Sequence, residues 1–207
     1  MELNTDFKSK DPRKNNIFQI EYRFNIEDFK RIENIEHSYF PDDNITSAEE
    51  VLNWYNKNDL TCIGVRNNKN EIIASVSILP LNKKTFYDIY EDKMHESDVV
   101  CSQIEKYENN GTYFMYLSSI SIDKKYRNSY RVITTLLRGC IDMLNTLLER
   151  NIKIEKIMAE ASTIHGQKIC KKLLNMDYIR NTRYNTKIYC EDGERFFKVI
   201  DKMLGKI

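Results

Sequence analysis

The residues best suited to chemistry lie between positions 113 and 150. The apolar-rich run Tyr113-Phe-Met-Tyr-Leu-Ser-Ser-Ile-Ser-Ile122 leads into a basic turn, Asp123-Lys-Lys-Tyr-Arg-Asn-Ser-Tyr-Arg131, and a long amphipathic pattern follows. The first amides of a helix have no intrahelical acceptor and sit at the positive end of its dipole. With Lys124, Lys125, Arg127, Arg131 and Arg138 around them, they predict an anion site. A pyrophosphate needs several converging N–H donors with positive charge beside them, and the amides from Asn128 to about Ile133 are the expected donors. The turn contains no glycine. Taken alone, it also reads as a solvated basic loop or as a contact for nucleic-acid phosphates.

The elements that must position this turn are legible from periodicity. After it, Ile133, Leu136, Leu137, Cys140, Ile141, Leu144, Leu147 and Leu148 recur at helical spacing. Burying that stripe, at ~1.5–3 kcal/mol per large side chain, makes it a main part of the core. Residues 1–16 are polar and charged and read as a flexible arm. Residues 18–24 alternate as a half-buried strand, and Asn25 can cap a helix carrying Ile26, Phe29 and Ile32. Ser47-Ala-Glu-Glu50 predicts a capping box before Val51, Leu52, Trp54 and Tyr55. Strands over 61–66 and 71–79, joined by Asn67-Asn-Lys-Asn70, predict an antiparallel hairpin. Residues 82–112 are charged, with helical spacing at Phe86, Ile89 and Tyr90. A strand over 154–161, a helix holding Ile169, Cys170, Leu173 and Leu174, a strand near 186–190 and a helix from Glu194 complete the chain. No repeat or linker divides it, which predicts one mixed α/β domain over 17–207.

Composition narrows the classes. The 207 residues carry 32 Lys+Arg against 31 Asp+Glu, so a general nucleic-acid binder is not expected. Five well-separated cysteines, with no Cys-x-x-Cys pair, read as small buried hydrophobes in a reducing compartment. No run approaches the ~20 apolar residues of a membrane span, and no apolar leader opens the sequence. A cytoplasmic protein without a membrane or nucleic-acid partner is the expectation.

Element order and two stretches together resemble the GNAT superfamily of acyl-CoA N-acyltransferases. Ile120-Ser-Ile-Asp-Lys-Lys-Tyr-Arg127 is similar to that family's approach to its pyrophosphate loop, and the block from Ala159 to Tyr178 to its second conserved strand–helix unit. The resemblance implies an α/β (α+β) fold, with a mixed, mostly antiparallel central sheet flanked by helices. It implies acetyl-CoA as co-substrate, no metal, and direct attack on the thioester by a small-molecule or peptide amine; a homodimer is compatible with it. The pantetheine arm would lie along Leu117 to Ile122, touching Ser119, Ile120 and Ile122, with a strand irregularity at Ser118-Ser119. Arg127, Asn128, Ser129, Tyr130, Arg131 and Val132 would hold the pyrophosphate, and Ser162 falls where the family often has a pantetheine-contacting Asn. Two departures stand out. Tyr130 and Val132 occupy the loop's small positions. If Met176-Asp177-Tyr178 matches the family's Leu-Gly-Phe, then Leu173 occupies the place of its frequent acidic Tyr.

Tyr116 on the central strand and Glu160 near the end of the next are the catalytic candidates, as thioester contact and as base. His165 is the histidine nearest the expected cleft, with His37 and His95 in more variable segments. The acidic positions Asp88, Glu91, Asp92, Glu96 and Asp98 would suit a cationic amine. The alternative reading is a GNAT-fold module without catalysis, serving binding or regulation.

Overall fold

The computed structural model describes residues 17–40 and 45–204. The arm expected over residues 1–16 lies outside the described residues. Strand β1 (Gln19–Glu21) precedes helices α1 (Ile26–Glu36) and α2 (Ala48–Lys57). The hairpin β2 (Cys62–Arg66) and β3 (Ile72–Leu81) follows, then α3 (Lys83–Tyr90) and an irregular excursion that leads to β4 (Thr112–Ile122). The basic turn opens α4 (Tyr130–Glu149); β5 (Lys153–Ala161) and α5 (Ile164–Lys168) come next, and α5 widens into a π-helical turn over Ile169–Leu173. Strands β6 (Asp177–Asn181) and β7 (Lys187–Asp192) and helix α6 (Gly193–Leu204) close the chain. The seven strands lie in the order β1-β2-β3-β4-β5-β7-β6, and only the β4–β5 pair is parallel. This is the mixed, mostly antiparallel sheet that the sequence predicts.

Local chemistry accounts for the ends of elements. Asn25 accepts from the amides of Glu27 and Asp28, and the Asp28 carboxylate returns to the Asn25 amide, a complete capping box. The box expected at Ser47 is only half made. Its hydroxyl takes the Glu50 amide, but the Glu50 carboxylate turns instead to the Trp54 indole N–H and the Cys101 amide. Tertiary donors outcompete the local one there. Among the described residues six adopt positive φ, and all are Asn or Asp: Asn70, Asp92, Asn110, Asn151, Asn175 and Asn185. Their short polar side chains tolerate the left-handed region, which no described glycine adopts.

The two faces of the sheet carry separate cores. Val132, Leu136, Met143, Leu144 and Leu147 of α4 pack with Met115 and Leu117 of β4 and Ile154 and Ile157 of β5. Leu148, the last residue of the predicted stripe, remains half exposed. On the other face, Tyr116 packs among Trp54, Leu79, Phe86, Ile89, Met158 and Ile188. Strand β6 was not legible from the sequence, because it is an edge strand with exposed residues on both faces and no apolar alternation. Among the described residues no helix is long and apolar enough to cross a membrane.

Helix α4 approaches β1 and β2 closely at Gly139. A Cβ there would lie 2.5 Å from Ile63 Cγ2 and 2.9 Å from Ile20 Cγ2. Gly139→Ala should therefore destabilise the fold by about 1–3 kcal/mol, as overpacked cores do. Urea unfolding of the two proteins checks this; an unchanged midpoint would refute so tight a contact.

Candidate active site

The site begins with an irregularity in β4. On the β3 side, Ser119 pairs with Ser77 and Leu117 with Ile78, so Ser118 is an extra residue without a partner. Such a bulge bends its strand. On its other side, β4 pairs with β5 only from Thr112 to Leu117, while β5 continues to Ala161 against β7. Beyond Leu117 the two parallel strands therefore part, and the backbone edge of residues 118–122 has no strand partner on that side. The irregularity lies at the Ser118-Ser119 pair where it was expected. Ser119 and Ile120 are partly buried along the opening, and Ile122 ends the strand.

The basic turn lies at the end of this opened strand. The Asp123 carboxylate accepts from the Lys125 amide and pairs with Arg31, while Tyr126 bonds back to the Asp123 carbonyl and Ser129 to the Tyr126 carbonyl. Tyr39 donates its hydroxyl to the Ile122 carbonyl at 2.6 Å. Ser129 precedes α4 without a side-chain cap, so the amides of Tyr130, Arg131 and Val132 lack both an intrahelical acceptor and a cap. Val132 is buried under the helix, whereas Tyr130 is 76% exposed. Tyr130 thus turns into solvent. Arg127 and Asn128 are exposed on the turn. These residues fit a diphosphate, through backbone donors and flanking cations rather than through glycines.

Around the bulge, on the face away from α4, three carboxylates converge. Glu96, from a 3₁₀ turn in the excursion, accepts from the Tyr116 hydroxyl at 2.8 Å and from the Ser118 hydroxyl. Burial pushes its carboxyl up to about 8, and the charges of Glu160 and Glu36 push the same way. Glu36, at the end of α1, faces the Ser119 hydroxyl, and burial raises it too. Glu160 on β5 accepts from the Thr186 hydroxyl of β7. Burial drives Tyr116 well above the ordinary phenol value, reinforced by Glu96 and Glu160. The two sequence candidates, Tyr116 and Glu160, do meet here, but Tyr116 spends its proton on Glu96. Glu36 and Glu96 were missed as site residues. Glu96 was visible only as one of several acids in residues 82–112, and nothing local distinguishes the one that turns inward.

The remaining candidates fall to the sides. Ser162 is exposed, and the neighbouring Thr163 caps α5 by accepting from the Gly166 amide. His165 is exposed on α5. His95 is buried against the Tyr184 ring, 4.2 Å between centroids, with Nδ1 2.8 Å from Ser97 Oγ, where it fixes the turn that carries Glu96. Asn175 holds the left-handed conformation (φ 53°) between buried Leu174 and buried Met176, while Tyr178 is exposed. The wide π turn leaves Cys170 as its buried side chain. Burial pushes that thiol up to about 11.

No family model matches the sequence, and no curated protein matches it. Solved structures do match in three dimensions. A GNAT-family acetyltransferase from Staphylococcus aureus Mu50 aligns at a TM-score of 0.50 and 11% identity, over 85% of this chain and 99% of that one. Arabidopsis thaliana NAA60, solved with a bisubstrate analogue, aligns at 0.52 and 11%, over 85% and 98%. The GNAT-like decarboxylase GphF, solved with isobutyryl-CoA, aligns at 0.51 and 10%, over 84% and 98%. The chain is a divergent member of the GNAT fold. At such identities, likeness extends to the fold alone.

The raised carboxyl of Glu96 makes a stability prediction. A carboxyl that titrates near 8 when folded, against 4.5 ordinarily, contributes stability that is full below pH 4.5 and lost as pH rises to about 8. Glu96→Gln keeps the shape and removes the charge. Its Tm should exceed the wild type's at pH 8 by roughly 10 °C and match it near pH 4.5. A difference that does not grow with pH would show that Glu96 is not held in this way.

Proposed function

We propose that this protein is an acyl-CoA-dependent N-acyltransferase that transfers an acetyl group from acetyl-CoA to a primary amine. The observation that carries the proposal is the placement of Glu96 over the point where β4 parts from β5. The free edge of 118–122 offers backbone donors and acceptors to the pantetheine amides and a donor to the thioester carbonyl, where negative charge develops. Arg127, Asn128 and the uncapped amides of Tyr130, Arg131 and Val132 hold the diphosphate. Ser119, Ile120 and Ile122 line the path between them, and Ser162 flanks it at the start of α5.

Glu96 acts as general base, and Tyr116 and Ser118 orient its carboxylate. The bound amine first loses its ammonium proton to solvent and attacks the carbonyl carbon in neutral form; the C–N bond forms and the C–S bond breaks. One amine proton passes to Glu96 and finally to the departing thiolate. Glu36 and Glu160 add negative potential that draws in a cationic amine and favours its approach. The five unpaired cysteines suit a reducing cytoplasm.

A panel of amines assayed for acetyl-CoA-dependent release of free thiol tests this reading. Since Glu96 must be ionised to accept a proton, kcat/KM should rise with pH and level off above about 8. Glu96→Gln should lose that limb and about 10²–10⁴-fold in rate. Arg127→Ala should weaken acetyl-CoA binding. A folded protein with no thermal shift at millimolar CoA and no thiol release would favour the non-catalytic module instead.

A further inference from the structure

The turn that carries Glu96 is braced from outside the site, by the tip of the β6–β7 hairpin. That tip, residues 182–186, is tied within itself. The buried Thr182 hydroxyl accepts from the amides of Tyr184 and Thr186 and lies 2.5 Å from the Thr186 hydroxyl. Thr186 reaches inward to Glu160, while its neighbours reach outward to residues 91–98. The Arg183 amide donates to the Asp92 carboxylate at 2.9 Å, and its guanidinium donates to the Lys93 carbonyl at 3.3 Å. From β6, Arg180 donates to the Glu91 carbonyl at 3.1 Å. Tyr184 packs its ring on His95, and the Arg183 guanidinium lies over that same tyrosine ring, 5.1 Å from its centroid.

Residues 91–95 form neither helix nor strand, and Asp92 is left-handed (φ 61°), so the stretch has little local structure of its own to hold it. His95 begins the 3₁₀ turn Glu96–Asp98: its Nδ1 accepts from the Ser97 amide, and its amide donates to Asp98. A ring seated on Tyr184 therefore fixes the residue next to Glu96. Glu96 itself is faced by Tyr116 and Ser118 of β4, Glu160 of β5 and Glu36 of α1, with His95 and Asp98 beside it on its own turn. A carboxylate shut off from water among others of its kind stays there only while its backbone is held.

We propose that Tyr184 and Asp92 are positioning residues for the acyl transfer: the hairpin tip holds Glu96 over the bulge through His95 and Asp92, and Glu160 through Thr186, so one turn sets the spacing of two site carboxylates. The inference rests on the function proposed above, which makes Glu96 the base. Both residues act through Glu96 and need not touch either substrate.

Tyr184→Ala removes the ring, and Asp92→Gly removes the acceptor while allowing the left-handed backbone. Tyr184→Phe and Asp92→Asn put ring and acceptor back. In amine acetylation the first pair should lower kcat about 10–100-fold, as a misplaced catalytic group does, with KM for acetyl-CoA unchanged. The midpoint of their kcat/KM limb should fall below the wild type's value of about 8, because a freed turn lets Glu96 reach water. The second pair should restore rate and midpoint together. Thermal unfolding gives a readout that needs no turnover: the gain in Tm at pH 8 from Glu96→Gln should shrink by about half or more when Tyr184→Ala is already present. Lost stability alone would lower the rate without moving the midpoint. A midpoint that stays near 8, or a Tm gain that is undiminished, would overturn the brace and leave the acyltransferase reading standing. If no amine releases thiol and CoA gives no thermal shift, the function proposed above falls, and the positioning of a base falls with it, whatever the Tm gain does.

Discussion

Ser118 has no partner on β3, and at that residue β4 leaves β5. Everything that gives this molecule a site follows from that parting. A strand paired on both sides through its length would satisfy its own amides and carbonyls and offer a ligand nothing. Here residues 119–122 stay bonded to β3 on one side, which keeps them extended, and present an open edge on the other. Backbone groups left without a strand partner require water or a ligand to satisfy them. The same extra residue turns Ser118 and Ser119 toward Glu96 and Glu36, so one backbone event shapes both the slot and the carboxylates above it.

Those carboxylates are handled unlike the structural ones. Arg66 binds Asp28 and Glu21 together, at 2.8 Å and 2.6 Å, in a network of charges and countercharges at the start of α1. At the site, Glu96 and Glu160 are held by the hydroxyls of Tyr116, Ser118 and Thr186. A hydroxyl orients a carboxylate without neutralising it, so at Glu96 desolvation and the neighbouring charges stay in force and its affinity for protons rises. The fold tolerates this because the strands behind the site are anchored in two separate apolar cores.

The sequence made the scaffold legible wherever burial imposes a period. The α4 stripe, the β2–β3 hairpin and the central strand match their predicted spans closely. Exposure erased the signal at β6, where neither face must be apolar. The helix after β5 was legible by its period, but the π turn over Ile169–Leu173 that ends it left no sequence signal. The basic turn could be placed because a strand, a cation cluster and a helix adjoin in sequence. The carboxylates could not, since Glu36, Glu96 and Glu160 belong to three distant segments and only tertiary structure unites them. Tyr116 was found by its place on the strand, while its hydrogen bond to Glu96 was beyond sequence reasoning.

That dispersal also bears on how the molecule comes into being. The basic turn is local and can take shape as soon as α4 docks on the sheet. The carboxylate floor needs α1, the excursion, β5 and β7 all in their final places, including a parallel pairing that waits for the whole α4 crossover. Contacts so distant along the chain form slowly and late. A partly folded chain would thus hold the basic turn before the carboxylate cluster, and Glu96 becomes buried only when the last strands close around it.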